Sequence, residues 1–184
     1  GVGSEVLNVT QNHGGVVLGA LAGGKIVGCL YAFLARRHGK LIHWSHIMAV
    51  EPGYRDRGLG FRMKLAHRRL ALRQGIESIC WTCDPLQSRN ATLNLARLGA
   101  RVEEYIPNCY GIFPSEIEKG LPSDRFVVDW QIASPTVARR LRKRIAPPHS
   151  LRLPRVNETR LNRQGFPENV RINLRLRAPR LLVE

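Results

Sequence analysis

Between Met48 and Phe61 the chain reads Met-Ala-Val-Glu-Pro-Gly-Tyr-Arg-Asp-Arg-Gly-Leu-Gly-Phe, and no other stretch limits the fold as much. An apolar strand-like run ends at Val50, a turn follows at Glu51-Pro52-Gly53, and Arg55-Asp56-Arg57-Gly58-Leu59-Gly60 opens a long amphipathic segment. A strand, a glycine-rich turn and a helix start present unpaired backbone N–H groups to an anion. Gly58 and Gly60 let the backbone approach a ligand with no Cβ in the way. Arg55 and Arg57 add positive charge beside it. The stretch reads as a pyrophosphate cradle. No Gly-Lys-Ser/Thr follows, as a triphosphate loop would need, and the Gly-x-Gly-x-x-Gly spacing of dinucleotide sites is absent. Taken alone, the same residues also fit a plain turn and helix cap.

Composition sets the bounds. A chain of 184 residues makes one domain with room for an appendage. A hydrophobic share of 43% supports a core. The net charge of +15 suits an anionic partner. That charge is concentrated in residues 133–184, where twelve Arg and one Lys stand against Glu158, Glu168 and Glu184. Gly15 to Leu34 is mostly apolar, but Ala22-Gly23-Gly24-Lys25 interrupts it, so two strands and a tight turn fit better than a membrane span. No signal or transit peptide is visible. Cys80 and Cys83 have redox or zinc spacing without a second pair, so with Cys29 and Cys109 they read as core thiols in a reducing cytoplasm, and no metal is expected.

The order of elements follows from periodicity and breakers. Ser4 to Asn12 reads as the end of a helix. Val16–Leu21, Lys25–Ala35 and Leu41–Val50 read as strands. Gly58 to Gln74 reads as a helix with Leu59, Met63, Ala66 and Leu70 on one face, while Arg62, Lys64, Arg68, Arg69 and Arg73 fall largely on others. Gly75 is its stop. Ile76–Cys83 is a strand, Ser88–Leu98 a second helix stopped by Gly99, and Arg101–Ile106 and Phe126–Ile132 are strands. The fold class is α/β with a mixed sheet flanked by helices.

Arg-x-x-Gly-x-Gly after a strand ending Ala-Val-x-Pro resembles the coenzyme A motif of the GNAT superfamily, the acyl-CoA-dependent N-acyltransferases. The element order matches that fold from its second strand onward, over roughly residues 14–132. Its first strand and helix are missing, which implies an incomplete or trimmed chain. Ser45-His46-Ile47-Met48-Ala49-Val50, Trp81-Thr82-Cys83-Asp84-Pro85-Leu86, Ser88-Arg89-Asn90-Ala91, Asn94-Leu95-Ala96-Arg97-Leu98-Gly99-Ala100, Asn108-Cys109-Tyr110-Gly111 and Gly120-Leu121-Pro122-Ser123-Asp124-Arg125-Phe126 together resemble a poorly characterised bacterial GNAT family. The resemblance implies a GNAT domain over 1–132, followed by a basic extension, 133–184, that begins a small second subdomain.

The resemblance also implies a site. Acetyl-CoA or another acyl-CoA would be the co-substrate. The strand before the cradle splays from its neighbour, and Met48 and Val50 would bind the pantetheine arm. Arg55, Arg57, Gly58, Leu59 and Gly60 would hold the pyrophosphate, with Asn90 and Asn94 beside the arm or the acceptor. Asn90 also reads as a helix cap. His46 is placed by parity on the face of Met48 and Val50 and would relay the amine proton, or serve only as a hydrogen-bonded core histidine. His43 has the opposite parity, and Glu51 faces solvent. The family's common tyrosine acid is replaced here by Leu95, and a frequent asparagine by Ser88. Tyr110 is then the candidate acid, or an anchor for its loop. Asp124 would hold an amine and Arg125 a carboxylate, or the two would pair with each other.

The expected function is transfer of an acetyl or succinyl group to a small amine or amino acid in the cytoplasm, by a protein that also fits a homodimer. No membrane partner is expected. Two other readings stay open: a nucleic-acid- or ribosome-associated protein using the Arg-rich tail, and a coenzyme A-binding domain without catalysis. In the tail, Val137–Ile145 reads as a short basic helix, Pro147-Pro148 as a linker, and Val170–Leu176 as a strand.

Overall fold

A computed structural model describes residues 2–111, 123–142, 154–161 and 167–177. The chain divides into two compact units, Gly1–Arg144 and Ile145–Glu184. In the first, the order is α1 (Ser4–Asn12), β1 (Val16–Ala22), β2 (Lys25–Arg37), β3 (Lys40–Val50), α2 (Leu59–Arg73), β4 (Ser78–Cys83), α3 (Ser88–Ala91), β5 (Arg101–Ile106), β6 (Arg125–Gln131) and α4 (Pro135–Arg142). The six strands form one sheet ordered β1-β2-β3-β4-β6-β5. Only β3 and β4 run parallel, as a crossover through a helix requires. The mixed α/β sheet expected from the sequence is the one observed.

The core has two parts. Ile79, Trp81, Val128 and Trp130 on the sheet meet Ala71 of α2, Leu98, and Val137 of α4. Val16, Leu30 and Ala32 pack on Met63 of α2. Each large apolar side chain buried this way contributes about 1.5–3 kcal/mol. Trp130 is fully buried and satisfies its one donor by an Nε1–H bond to the Leu98 carbonyl at 2.9 Å. Because Val137 belongs to this core, the first helix of the basic segment is part of the first unit.

Two local features position the site. The first is a fork. β3 and β4 pair only at His43 with Ile79 and Trp44 with Cys80, so from Ser45 and Trp81 onward the strands diverge. The second is a bulge. Ile47 stands opposite Tyr31 and Ser45 opposite Ala32, which leaves His46 as an extra residue on β3. A bulge breaks the two-residue alternation. His43 and Ser45 face α2 before the bulge, and Met48 and Val50 face α2 after it.

The helix expected over Ser88–Leu98 is α-helical only at its start and continues as a π-helical segment, Thr92–Arg97, closed by a Leu98 N–H bond to the Leu93 carbonyl at 2.9 Å.

The second unit holds an antiparallel pair, β7 (Asn157–Leu161) and β8 (Pro167–Ile172). The strand expected over Val170–Leu176 therefore ends at Ile172. Asn173 Oδ1 accepts the Arg175 N–H at 3.1 Å, a local turn that competes with the ladder. The expected Pro147-Pro148 linker lies outside the described residues.

Candidate active site

The cradle is a helix N-terminus with nothing capping it. Gly58 precedes α2 at φ 76°, a left-handed conformation that glycine adopts without cost, and no side chain caps the helix. The first intrahelical bond runs from the Arg62 N–H to the Gly58 carbonyl at 3.0 Å, so the N–H groups of Leu59, Gly60 and Phe61 have no helical acceptor. They and the helix dipole favour an anion. A Cβ on Gly60 would stand 3.4 Å from the Met48 methyl and 3.8 Å from Leu93, so the helix, β3 and the π-helical segment converge closely there.

A cleft of about 380 Å³ opens at this point. Met48 and Val50 line it from β3, Arg55, Gly58, Leu59 and Gly60 from the loop and α2, and Ser88, Arg89, Asn90, Thr92, Leu93 and Arg97 from the second helix. The structure thus gathers seven of the sequence-selected residues around one opening. Arg57 is not among its lining residues; its guanidinium lies over the Tyr54 ring at 5.5 Å. Asn94 is buried instead of lining the cleft, and it hydrogen-bonds the Cys83 thiol. Asn90 Nδ2 donates to Gln87 Oε1 at 2.9 Å. Arg55 Nε donates to the Val50 carbonyl at 3.0 Å, which fixes the loop to the end of β3. Arg89 and Asp56 join the two walls through bonds of 2.7 Å.

His46 requires a correction. Parity places it with Met48 and Val50, but the bulge turns it to the opposite face. There it is exposed, with its ring 6.1 Å from Tyr31 and 6.0 Å from Phe33. His43, assigned by parity to the other face, is the histidine that points at α2. Tyr110 is also on the face away from α2. Its hydroxyl is 2.8 Å from Thr82 Oγ1 on β4, and Arg125 lies over its ring at 5.4 Å. His46, carried by β3, and Tyr110, in the turn after β5 and bonded to β4, therefore lie on the same side of the sheet, one at each arm of the fork.

Arg125 meets Asp124 through the backbone, and its charge also favours the Asp124 carboxylate. Asp124 accepts the Tyr105 hydroxyl and the Asn108 N–H, the latter at 2.9 Å, and the tyrosine bond holds its carboxyl below the usual range. Arg125 donates to the Asp124 carbonyl at 2.8 Å. Gly120, Leu121 and Pro122 lie outside the described residues.

The cysteines are free. Cys80 is buried, and burial pushes its thiol up to about 11; Cys29 is exposed and so is not a core thiol. Among the described residues no cluster has metal-ligand character, and no helix is long and apolar enough to cross a membrane.

Amphipathic spacing misplaced one residue of α2. Lys64 falls outside the apolar stripe in sequence, yet it is 2 % exposed. Its Nζ donates to Ser45 Oγ at 3.0 Å and stands 3.6 Å from the centre of the Trp81 ring. Its separation from the stripe by helical angle alone gave no signal of burial; the serine in β3 and the tryptophan in β4 are the only hints in the sequence.

Comparison with known proteins fits this geometry. A sequence profile described as "Acetyltransferase (GNAT) family" matches residues 4–100. The ribosomal-protein-S18-alanine N-acetyltransferase of Escherichia coli superposes with a TM-score of 0.58 at 14% identity, over 72% of this chain and 79% of that one. A GNAT family acetyltransferase from Elizabethkingia anophelis, solved with acetyl-CoA bound, gives 0.54 at 15% over 70% and 83%. An IAA acetyltransferase from Bacillus cereus ATCC 14579 gives 0.57 at 14% over 70% and 85%. At these identities the likeness is one of fold. No curated protein sequence matches the chain.

Proposed function

The chain belongs to the GNAT acetyltransferase family, and from that premise we propose that it is an acyl-CoA-dependent N-acyltransferase that moves an acetyl or succinyl group onto the amine of a small molecule or amino acid. The observation that carries this reading is the continuity of the cleft. It joins the uncapped N-terminus of α2 to Met48 and Val50, which lie on the part of β3 that has diverged from β4. A pyrophosphate on the Leu59, Gly60 and Phe61 amides would send its arm along β3, with the thioester at the fork.

The acceptor would come from the face that carries His46 and Tyr110. Its amine gives up a proton and attacks the thioester carbon, and the C–S bond breaks with the electron pair leaving on sulfur. In this reading His46 takes the amine proton and Tyr110 supplies one to the thiolate. His46 is exposed beside Tyr31 and Phe33, which suits a group that must exchange protons with water. Asp124 and Arg125 would border the acceptor, with Arg125 as the contact for a carboxylate.

A second reading, a coenzyme A-binding domain without catalysis, is favoured by Leu95, which stands where the family's common acid would be. Calorimetry with acetyl-CoA and succinyl-CoA, on the native chain and on Gly60→Glu, tests the cleft. Micromolar binding that the glutamate abolishes supports it, and the preferred acyl group directs the search for the acceptor. Thiol release on adding amines then separates an enzyme from a silent binder. A native chain that binds neither thioester overturns the proposal.

A further inference from the structure

The vertex of the fork holds a buried lysine amine. Ser45 and Trp81 are the first residues beyond the last paired positions of β3 and β4, and Lys64 Nζ bridges them, bonded to the serine hydroxyl and set against the indole face. Among the described residues no carboxylate lies in ion-pair reach of Lys64. A hydrogen bond and a ring face offset only part of the cost of burying an ammonium. Its titratable neighbours are His67 on α2, His43 on β3 and Cys83 on β4. Burial brings the Lys64 amine down to about 7, and of these titratable neighbours the one that favours its charged form is Cys83.

The vertex lies on β3 and α2, two of the elements that wall the cleft. Gly60 and Lys64 are one turn apart on α2, about 6 Å. Along β3, Val50 to Ser45 is five steps, about 16 Å. A ligand with its diphosphate on the α2 amides and an arm running along β3 from Val50 toward Ser45 would direct its terminal sulfur at the vertex. Leu95 provides no proton or charge for that sulfur.

From this geometry we infer that Lys64 holds the departing sulfur of coenzyme A as a thiolate, an inference that rests on the acyltransferase reading above. As the C–S bond breaks, the electron pair stays on sulfur and the Lys64 ammonium, already in place, balances the new charge. The thiolate then takes its proton from Tyr110 or water, and the amine proton leaves through His46. An incoming anion supplies the counter-charge that the empty vertex lacks, so the buried cation is matched to the product side of the reaction.

The test needs no acceptor. The ultraviolet absorbance of the thiolate is titrated for coenzyme A bound to Cys83→Ser protein, with desulfo-coenzyme A on the same protein as the blank, and again after adding Lys64→Met. The bound thiol is expected to ionise at least about one pH unit below free coenzyme A titrated alongside, a shift that reports a stabilised thiolate, and to return to the free value in Lys64→Met. Methionine keeps the length and apolar character of the lysine stem, and the protein carrying Lys64 is diagnostic even if this variant fails to fold. A bound thiol that titrates like free coenzyme A in the protein that retains Lys64, or alike with and without it, overturns the inference alone. Absence of coenzyme A binding to the native chain removes the acyltransferase reading with it.

Discussion

His67 Nε2 and His43 Nδ1 lie 2.9 Å apart with both rings fully buried, and the contact fixes the tautomer of each. His43 Nε2 is 3.1 Å from the Gly14 carbonyl, which only accepts, so that nitrogen carries the hydrogen. Nδ1 of His43 must then accept, and His67 Nε2 must donate. His67 Nδ1 is left as a bare buried acceptor with no partner among the described residues. The pair ties α2 to β3 and to the turn after α1, and a second proton on His67 Nδ1 would find no acceptor among the described residues.

Acid should therefore loosen the fold before most carboxylates titrate. Burial lowers His43 from 6.5 and takes His67 down to about 2, with the charges of Lys64 and His43 adding to the effect on His67. Both folded values lie below the unfolded value, so the unfolded chain binds more protons as the pH falls beneath about 6.5. Stability is complete above that pH and is lost below it, at about 1.4 kcal/mol per pH unit for each ring that stays neutral when folded. Urea midpoints at pH 7 and 5.5 measure this. Equal midpoints would contradict the neutral pair, and His67→Leu is expected to reduce the slope.

Lys64 should be costly to stability. Its amine falls from 10.5 unfolded to about 7 folded through burial, so stability declines as the pH drops from 10.5 toward 7 and levels off below. The difference corresponds to roughly 5 kcal/mol in protonation energy. Lys64→Met is expected to gain a few kcal/mol at pH 7, less the lost bond to Ser45, and to flatten the alkaline slope. A variant that melts well below the native chain would speak against an uncompensated charge.

Gly58 should carry a backbone cost and no packing cost. Its φ is 76°, and nothing lies within 4 Å of a Cβ built there. Gly58→Ala is expected to lower stability by about 1–2 kcal/mol. Chemical denaturation of the variant is the check, and a change within about 0.3 kcal/mol would show that the loop relaxes out of the left-handed region.

His46 and Tyr110 separate chemistry from binding. His46→Ala is expected to lower kcat by about 100- to 10,000-fold with little change in acetyl-CoA affinity. Tyr110→Phe is expected to slow thiol release and to lose the bond to Thr82. Unchanged rates in both would remove these residues from the base and acid roles.

The cradle was legible in the sequence because it is local. A strand end, two glycines and an uncapped helix start within Met48–Phe61 determine where the amides point, whatever surrounds them. The order of strands and helices followed from periodicity for the same reason. What only the tertiary structure decided depends on pairing between distant segments. The bulge opposite Tyr31 and Ala32 reverses the face of His46, and no pattern within β3 announces an extra residue. The burial of Lys64 depends on Ser45 and Trp81 meeting over α2, a contact among three elements. A helical repeat tells which residues share a side of a cylinder; which neighbour covers that side, and whether it can satisfy an ammonium, is settled only when the sheet closes against the helix.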